Sequence, residues 1–272
     1  MNTATYQASF LEKLLGKQYK WWVTFWHEWS RSNAKGLADL IFQFQIFISS
    51  MLWIYIWSLA SIQTVIYLTV GRVISFLTNN FYYNTIANDI VTGRISNLLL
   101  TPNSIIKTYL FRSAGGRLYR NVLSTVTIVI VLLIFNAFVI KIPFSSINFW
   151  VLIYLPILFL INYYLCCVIG SLGFFIKDKR DFSALAESVT SILNICTGLL
   201  IPLDKIPLIG SILVNSPLSL QFYHPTNLAL GKYSTLEGMY VFLGGIVWCF
   251  TLYIFAKFLF KIGLKRYESV GL

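Results

Sequence analysis

The chain reads as an all-α polytopic membrane protein, and three observations carry that reading. Of its 272 residues 57% are hydrophobic and only 11% charged, far short of the polar surface that a soluble domain of this length needs. Apolar runs of about 20 residues, the length that crosses a bilayer as a helix, recur along it. Its 21 Lys and Arg, against 10 Asp and Glu, fall almost wholly in alternate connections between those runs. In a soluble chain a net charge of +11 would point to nucleic acid. Here an anionic membrane leaflet accounts for it, and no nucleic-acid partner is expected.

Six transmembrane helices are expected, over 37–59, 61–82, 118–140, 149–176, 183–203 and 239–262. The fourth is long enough to tilt or project and carries Pro156, a kink site. No early apolar stretch leads to a small-residue cleavage site, so insertion is expected to rely on these spans. Lys141, Lys205 and Lys232 fall on one side and Arg72 inside the second span, while the other Lys and Arg fall on the opposite side. The positive-inside rule makes that opposite side cytoplasmic, with both termini. A single transmembrane domain is expected over 1–272, made of a cytoplasmic or interfacial helix within 1–36, spans within 37–262 and a tail at 263–272.

Ahead of the first span, Lys13, Lys17, Lys20, Thr24, His27 and Arg31 recur at helical spacing and draw one polar stripe. Leu11, Leu15, Trp22, Trp26 and Trp29 fall opposite, by the same periodicity. A basic, Trp-rich amphipathic helix suits the membrane surface, and packing against other cytoplasmic elements would use the same stripe. His27 belongs to the polar stripe and is read as solvated, not as a ligand. The long outer connection, 204–238, holds Pro207, Pro217, Pro225, Gly210 and Gly231 around two apolar pieces, "IPLIGSILV" and "PLSLQFYH". These are too short to cross and fit an outer re-entrant segment between the fifth and sixth spans, as a lid over an exit or as a simple cap. Irregular backbone at that depth needs cover by protein or water.

The four cysteines, Cys166, Cys167, Cys196 and Cys249, lie in apolar runs without metal-ligand spacing. Core thiols are expected, with no metal site. The chain has no HExxH, no GxSxG and no GxxxxGK[ST], so no catalytic residue is assigned and any ATP-driven work needs an ATP site on another polypeptide. Within the spans Arg72 is the costly group, at about 2.5–3.5 kcal/mol for a helix centre. Glu187 is a candidate partner for it or for Arg180. Asn162, Asn194 and Thr197 are further candidates for a polar pathway, as are Gln43 and Gln45, although interhelical hydrogen bonding uses the same residue types.

Residues 88–104, "NDIVTGRISNLLLTPNS", form a short, partly polar interruption on the cytoplasmic side, between the second and third spans. Asn88 or Asp89 is expected to cap a short helix. Leu98, Leu99 and Leu100 would form an apolar knob, Arg94 would meet an acidic rim on a partner, and Pro102 would stop the element. An interfacial elbow with its leucines in lipid shares this pattern.

The same segment resembles the cytoplasmic signature of the six-span permeases of the type-2 ABC exporter family, roughly Asp-Ile-Arg-x-Gly-x-Leu-x-x-Leu-Leu-Leu-Arg-Pro-x-Ser. Asp89, Ile90, Gly93, Leu98, Leu99, Leu100, Pro102 and Ser104 match it. Ile95 stands for the first Leu, and Val91 and Thr101 replace the two Arg positions. "GLLIPLDKIP" (198–207), which holds Pro202, "PLSLQFYHPTNLALG" (217–231) and "GLKRYESVGL" (263–272) are similar to the family's outer loop and tail in order, spacing and sidedness. The resemblance implies a permease subunit of an ATP-driven exporter, forming half of the translocation pathway beside a second identical or homologous permease. Two separate ABC ATP-binding subunits, which hold ATP and Mg, would dock beneath the pair, and this chain would bind no cofactor of its own. Asp89, Gly93, Arg94, Leu98, Leu99 and Pro102 would form the contact with them. Pro202, Pro207, Pro217, Pro225 and Gly231 would shape the outer segment, in the cytoplasmic membrane of a bacterium and among its lipids. The aromatic-rich spans suit a hydrophobic or amphipathic cargo, lipid or peptide. The alternative is a non-transport polytopic membrane protein, an immunity or scaffold protein.

Overall fold

A computed structural model describes residues 19–33, 36–59, 61–79, 82–100, 104–138, 150–176 and 178–267, and among these it is helical, with no strand. In chain order the helices are α1 (Tyr19–Asn33), α2 (Gly36–Ser58), α3 (Ile62–Thr78), α4 (Tyr83–Val91), α5 (Ile95–Leu99), α6 (Ile105–Phe138) and α7 (Trp150–Ser171), which ends in the 3-10 turn Leu172–Phe174. Then come α8 (Lys179–Cys196), the 3-10 turn Leu203–Lys205, α9 (Gly210–Val214), the 3-10 turn Pro217–Leu220, α10 (Tyr223–Ala229) and α11 (Thr235–Arg266).

Among the described residues, four helices are long and apolar enough to cross a membrane: Gly36–Ser58, Ile105–Ala137, Trp150–Phe174 and Thr235–Arg266. They correspond to the first, third, fourth and sixth expected spans, and Pro156 lies inside α7 as read. The other two expected spans are helices of a different build. α3 has 17 residues, below the usual length of about 20, and it stops at Thr78 instead of running to 82. The Asn79 carbonyl at that end accepts from the Asn121 amide of α6 at 3.1 Å, and the chain turns into α4. α8 has 18 residues, starts on an Asp178 cap and ends at Cys196, not at 203. There Thr197 and Gly198, the latter at φ +82°, turn the backbone away. α6, with 34 residues, begins thirteen positions before the expected boundary at 118. At about 50 Å it outreaches a bilayer core of about 30 Å.

α1 lies along the first half of α6. Trp21 stacks on Phe111 at 5.5 Å between ring centres, and Trp29 meets the edge of Tyr119 at 5.9 Å. Between these contacts sits Gly115, where an added Cβ would overlap the Phe25 carbonyl, so the two helices touch through their backbones. The expected apolar face of α1 is therefore corrected. Trp21, Phe25 and Trp29 turn to α6, whereas Trp22 and Trp26 are 42% and 56% exposed. Aromatic side chains leave this helix on two sides, and among the described residues α6 covers one of them. Leu11, Lys13, Leu15 and Lys17 lie outside the described residues.

A polar ladder holds α2 to α6. Asp39 pairs with Arg120 at 3.0 Å in a buried site, and the Arg120 guanidinium also lies 5.6 Å from the Phe42 ring centre. Gln43, one turn on, donates to Ser124 at 3.3 Å and accepts from Thr127 at 2.9 Å. Gln43 is thus helix–helix glue, and Gln45 is exposed. Around this ladder Ile46, Ile54, Val65, Ile128, Val131 and Phe135 join α2, α3 and α6. At one end of the bundle a second core of Ile86, Ile90, Ile95, Leu98, Tyr109, Tyr163 and Phe260 ties α4 and α5 to α6, α7 and α11.

Gly115→Val is expected to push α1 off α6 at an overpacking cost of about 1–3 kcal/mol. The checks are a red shift of tryptophan emission and faster proteolysis between α1 and α2, with the later helices still inserted in the membrane.

Candidate functional site

The first concentration of polar side chains lies at the end of the bundle where α4 and α5 meet. α4 forms because Tyr83, Ile86, Ala87 and Ile90 repeat at helical spacing and are all buried. Gly93 then turns the chain at φ +78°, a backbone region open to glycine and costly for most residues. α5 follows, with Arg94 at its N-cap position and no side-chain cap bond.

Asp89 is not the helix cap that its place in the sequence suggested. α4 starts six residues upstream, so Asp89 falls in its last turn and points inward, where its carboxylate accepts from the Tyr109 hydroxyl at 3.1 Å. Burial raises the Asp89 carboxyl above the usual carboxylate range, and the Tyr109 hydrogen bond and the Arg112 and Arg94 charges oppose that rise without cancelling it. The three leucines also divide. Leu98 is 8% exposed and anchors α5 in the core, whereas Leu99 and Leu100 are 44% and 85% exposed. The knob on the surface is therefore made of two side chains. Pro102 lies outside the described residues.

Beside this elbow opens a cleft of about 590 Å³ lined by Glu28 and Arg31 of α1, Asn88 and Asp89 of α4, Arg94 of α5, Arg112 of α6 and Lys179 of α8, among others. The sequence reading missed one clamp on it. The Ser96 hydroxyl lies 3.1 Å from the Tyr267 hydroxyl, and Tyr267 rests against the Phe174 ring. The tail motif thus holds α5, a contact over 171 positions that no local pattern announces.

The second concentration is inside the bundle. Asn162 of α7 donates to Thr78 at 3.2 Å and accepts from Gln221, and Asn79, Thr190 and Asn194 line the same small cavity. Asn162 sits about 18 Å along α7 from Trp150, past the middle of that helix. Gln221, another residue that the sequence reading passed over, therefore brings the connection from 197 to 234 down beside α7. Of the expected pathway residues, Asn162 and Asn194 come together here. Thr197 lies just beyond, buried, with its carbonyl accepting from the Tyr223 amide at 3.0 Å.

Arg72 and Glu187 are elsewhere and apart. Arg72 lies 5.2 Å from the centre of the Trp53 ring, on the side of α3 that meets α2, while Glu187 is exposed on α8. The ion pairs found among the described residues are Arg31–Glu28 and Arg120–Asp39, so the expected Arg72–Glu187 and Glu187–Arg180 pairs do not form. α8 packs on α4, on Cys166 and Ile169 of α7, and on the turns after α7 and before α10. Opposite charge within the expected spans had suggested a pairing that the packing does not make.

The connection from 197 to 234 is threaded through polar anchors. Tyr67 donates to the Gly198 carbonyl at 2.8 Å, Tyr154 to the Leu220 carbonyl at 2.9 Å, and His224 bridges Tyr233 at 2.8 Å and the Val214 carbonyl at 3.0 Å. Pro202 and Pro225 are buried, Pro207 and Pro217 are exposed, and Gly231 turns at φ +66°. Thr226 packs against Gly71 of α3.

Long apolar helices, four of them long enough among the described residues to cross a membrane, define a multi-pass membrane protein. The family model of the ABC-2 family transporter proteins matches residues 36–271. The chain belongs to that family and is a permease of the ABC transporter type. A comparison with curated proteins gives no significant match.

Two outcomes follow from this geometry. Gln221→Leu strands the Asn162 carbonyl and is expected to cost about 1–3 kcal/mol, while the double change Asn162→Leu with Gln221→Leu recovers part of it, because both polar partners then leave. Thermal unfolding in detergent measures both. Asp89 holds its proton to a higher pH in the folded protein than in the unfolded chain, so its contribution to stability falls as pH rises from the ordinary carboxylate range through the raised value. Asp89→Asn is expected to flatten that dependence, and Tyr109→Phe to steepen it, in unfolding curves taken across acid to neutral pH.

Proposed function

We propose that this chain is the permease subunit of an ATP-driven exporter, forming half of a translocation pathway with a second identical or homologous permease. Two ATP-binding subunits, which carry ATP and Mg, dock against α5. α3 and α8 complete six spans, and the segment around Gln221 re-enters the membrane from outside. The Lys- and Arg-rich end, with both termini, faces the cytoplasm of a bacterium by the positive-inside rule. The cargo is a hydrophobic or amphipathic compound, lipid or peptide.

The observation that carries this reading is the build of α8. It is amphipathic: Glu187, Ser188 and Ser191 lie exposed on it, while Thr190, Leu193 and Asn194 of the same helix line the Asn162 cavity. A carboxylate on a membrane helix belongs against protein or water, not lipid. A second permease across a wetted pathway supplies both. α5 supports the coupling half of the proposal. Leu99 and Leu100 project beside the basic cleft, which suits an apolar groove with an acidic rim on a partner. Through Leu98, the Asp89–Tyr109 bond and the Ser96–Tyr267 contact, a push on α5 reaches α6 and α11 directly.

The test is co-purification with the ATP-binding subunits, followed by ATPase and transport assays in liposomes. Leu99→Asp is expected to lower cargo-stimulated turnover about tenfold or more with unchanged thermal stability, because the side chain is exposed; a tenfold effect is about 1.4 kcal/mol of coupling. Gly93→Pro, which cannot take the positive φ, is expected to uncouple the elbow as well. Unchanged coupling in assembled Leu99→Asp complexes would move the contact elsewhere. Full activity without any ATP-hydrolysing partner would favour the immunity or scaffold reading.

A further inference from the structure

The cleft beside the elbow holds more positive charge than its own acids offset. Arg31 of α1, Arg94 of α5, Arg112 of α6 and Lys179 of α8 line it, against Glu28 and Asp89. Glu28 already pairs with Arg31 at 3.5 Å. Asp89 is 8% exposed and accepts from the Tyr109 hydroxyl, and burial raises its carboxyl, which weakens it as a counter-charge. Arg94, Arg112 and Lys179 make no ion pair among the described residues. Three cations from three helices thus face one concavity. They repel one another there, and a concave protein wall concentrates their field. An anion in the cleft relieves that repulsion.

The size and the other walls of the cleft narrow the choice of anion. At about 590 Å³ it falls in the range of small-molecule pockets, about 300–1,000 Å³, with room for about 20 waters at their liquid volume. An inorganic ion would leave most of it to solvent. Asn84, Asn88 and Asn97 each bring an amide to the lining, a donor and an acceptor together. Such pairs match hydroxyl groups, which also donate and accept. A flat base would need a ring face to stack on, and Tyr82, the aromatic residue of the lining, is 9% exposed and turned against Tyr109. The arginine forks fit phosphate oxygens, and lysine meets them as a point charge.

We propose that this cleft binds a phosphorylated polyol, with its phosphates on Arg94, Arg112 and Lys179 and its hydroxyls on the asparagines. A soluble sugar phosphate and the head of a sugar-phosphate lipid present the same chemistry. Leu99 and Leu100 stand outside the lining, so a partner on α5 and a ligand in the cleft use different surfaces. The bound ligand ties α5 to α6 and α8 and stiffens the elbow. This goes beyond the permease reading and does not rest on it.

The experiment is calorimetric titration of the full chain, in phosphatidylcholine nanodiscs, with fructose bisphosphate. Saturable binding is expected, weaker at higher salt. Arg112→Gln is expected to weaken it about tenfold or more and Lys179→Gln several-fold, as befits hydrogen bonds to charged groups. Lys265→Gln removes an equal charge from an exposed site on α11 and is expected to change nothing. Fructose is expected not to bind, and pyrophosphate to bind more weakly than the sugar bisphosphate. Nanodiscs doped with phosphatidylinositol phosphate separate the two sources. Loss of fructose bisphosphate binding in them assigns the cleft to a lipid head, and unchanged binding assigns it to a soluble ligand. Should Arg112→Gln fail to fold, Lys179→Gln, at an exposed position, carries the comparison. Equal affinity in wild type and the folded variants overturns the proposal, and so does pyrophosphate binding as tightly as fructose bisphosphate. Binding that vanishes once ATP-binding subunits assemble on the chain gives the cleft to an acidic partner surface and overturns it too. Binding that follows Arg112 and Lys179 in a chain that exports nothing leaves this site standing without the exporter reading.

Discussion

Inside a bilayer no water is available to the backbone, so each N–H and C=O must be bonded within the protein. The long helices meet that demand by themselves. The irregular connection from 197 to 234 lacks that regular ladder, and side chains of the surrounding helices bond several of its carbonyls. The hydroxyls of Tyr67 and Tyr154 reach across from α3 and α7 to the carbonyls of Gly198 and Leu220. The Tyr223 amide takes the Thr197 carbonyl, and His224 takes that of Val214. α11 then restarts regular structure with a capping box, in which Ser234 and Glu237 satisfy each other's backbone amides. Tyrosine suits such positions because its ring belongs in an apolar wall while its hydroxyl finds a polar partner.

The same demand explains why polar side chains in the bundle come in groups. Asp39 with Arg120, Gln43 with Ser124 and Thr127, and Asn162 with Thr78 and Gln221 are mutually satisfied sets. Removing one member leaves the others buried and unfilled. The Ser50 hydroxyl, buried without a hydrogen-bond partner among the described residues, stands out against that background.

At the opposite end of the bundle the elbow at Gly93 sits on a packed base. Ile95 and Leu98 face the core, Asp89 is tied to Tyr109, and Ser96 meets Tyr267. A short helix on such a base moves with the helices below it rather than bending away from them. Leu99 and Leu100 are left to meet something outside the chain. The division between anchor and contact runs through three consecutive leucines, and helical geometry alone makes it, since neighbours on a helix point about 100° apart.

The sequence alone was enough for the all-helical membrane build, four of the span positions to within a few residues at most of their ends, and a helix ahead of the first span with its tryptophans. These follow from hydropathy and helical period, which act over a few turns. What it left open is long-range. That Asp89 closes a helix rather than opening one depended on α4 beginning upstream. That Arg72 meets Trp53 and not Glu187 depended on which faces of α2, α3 and α8 turn toward one another. Gln221 became part of the Asn162 group only when a connection 59 positions away folded down beside α7. Local propensity is summed along the chain, whereas burial and polar pairing are settled in three dimensions, where residues far apart in sequence compete for the same few partners.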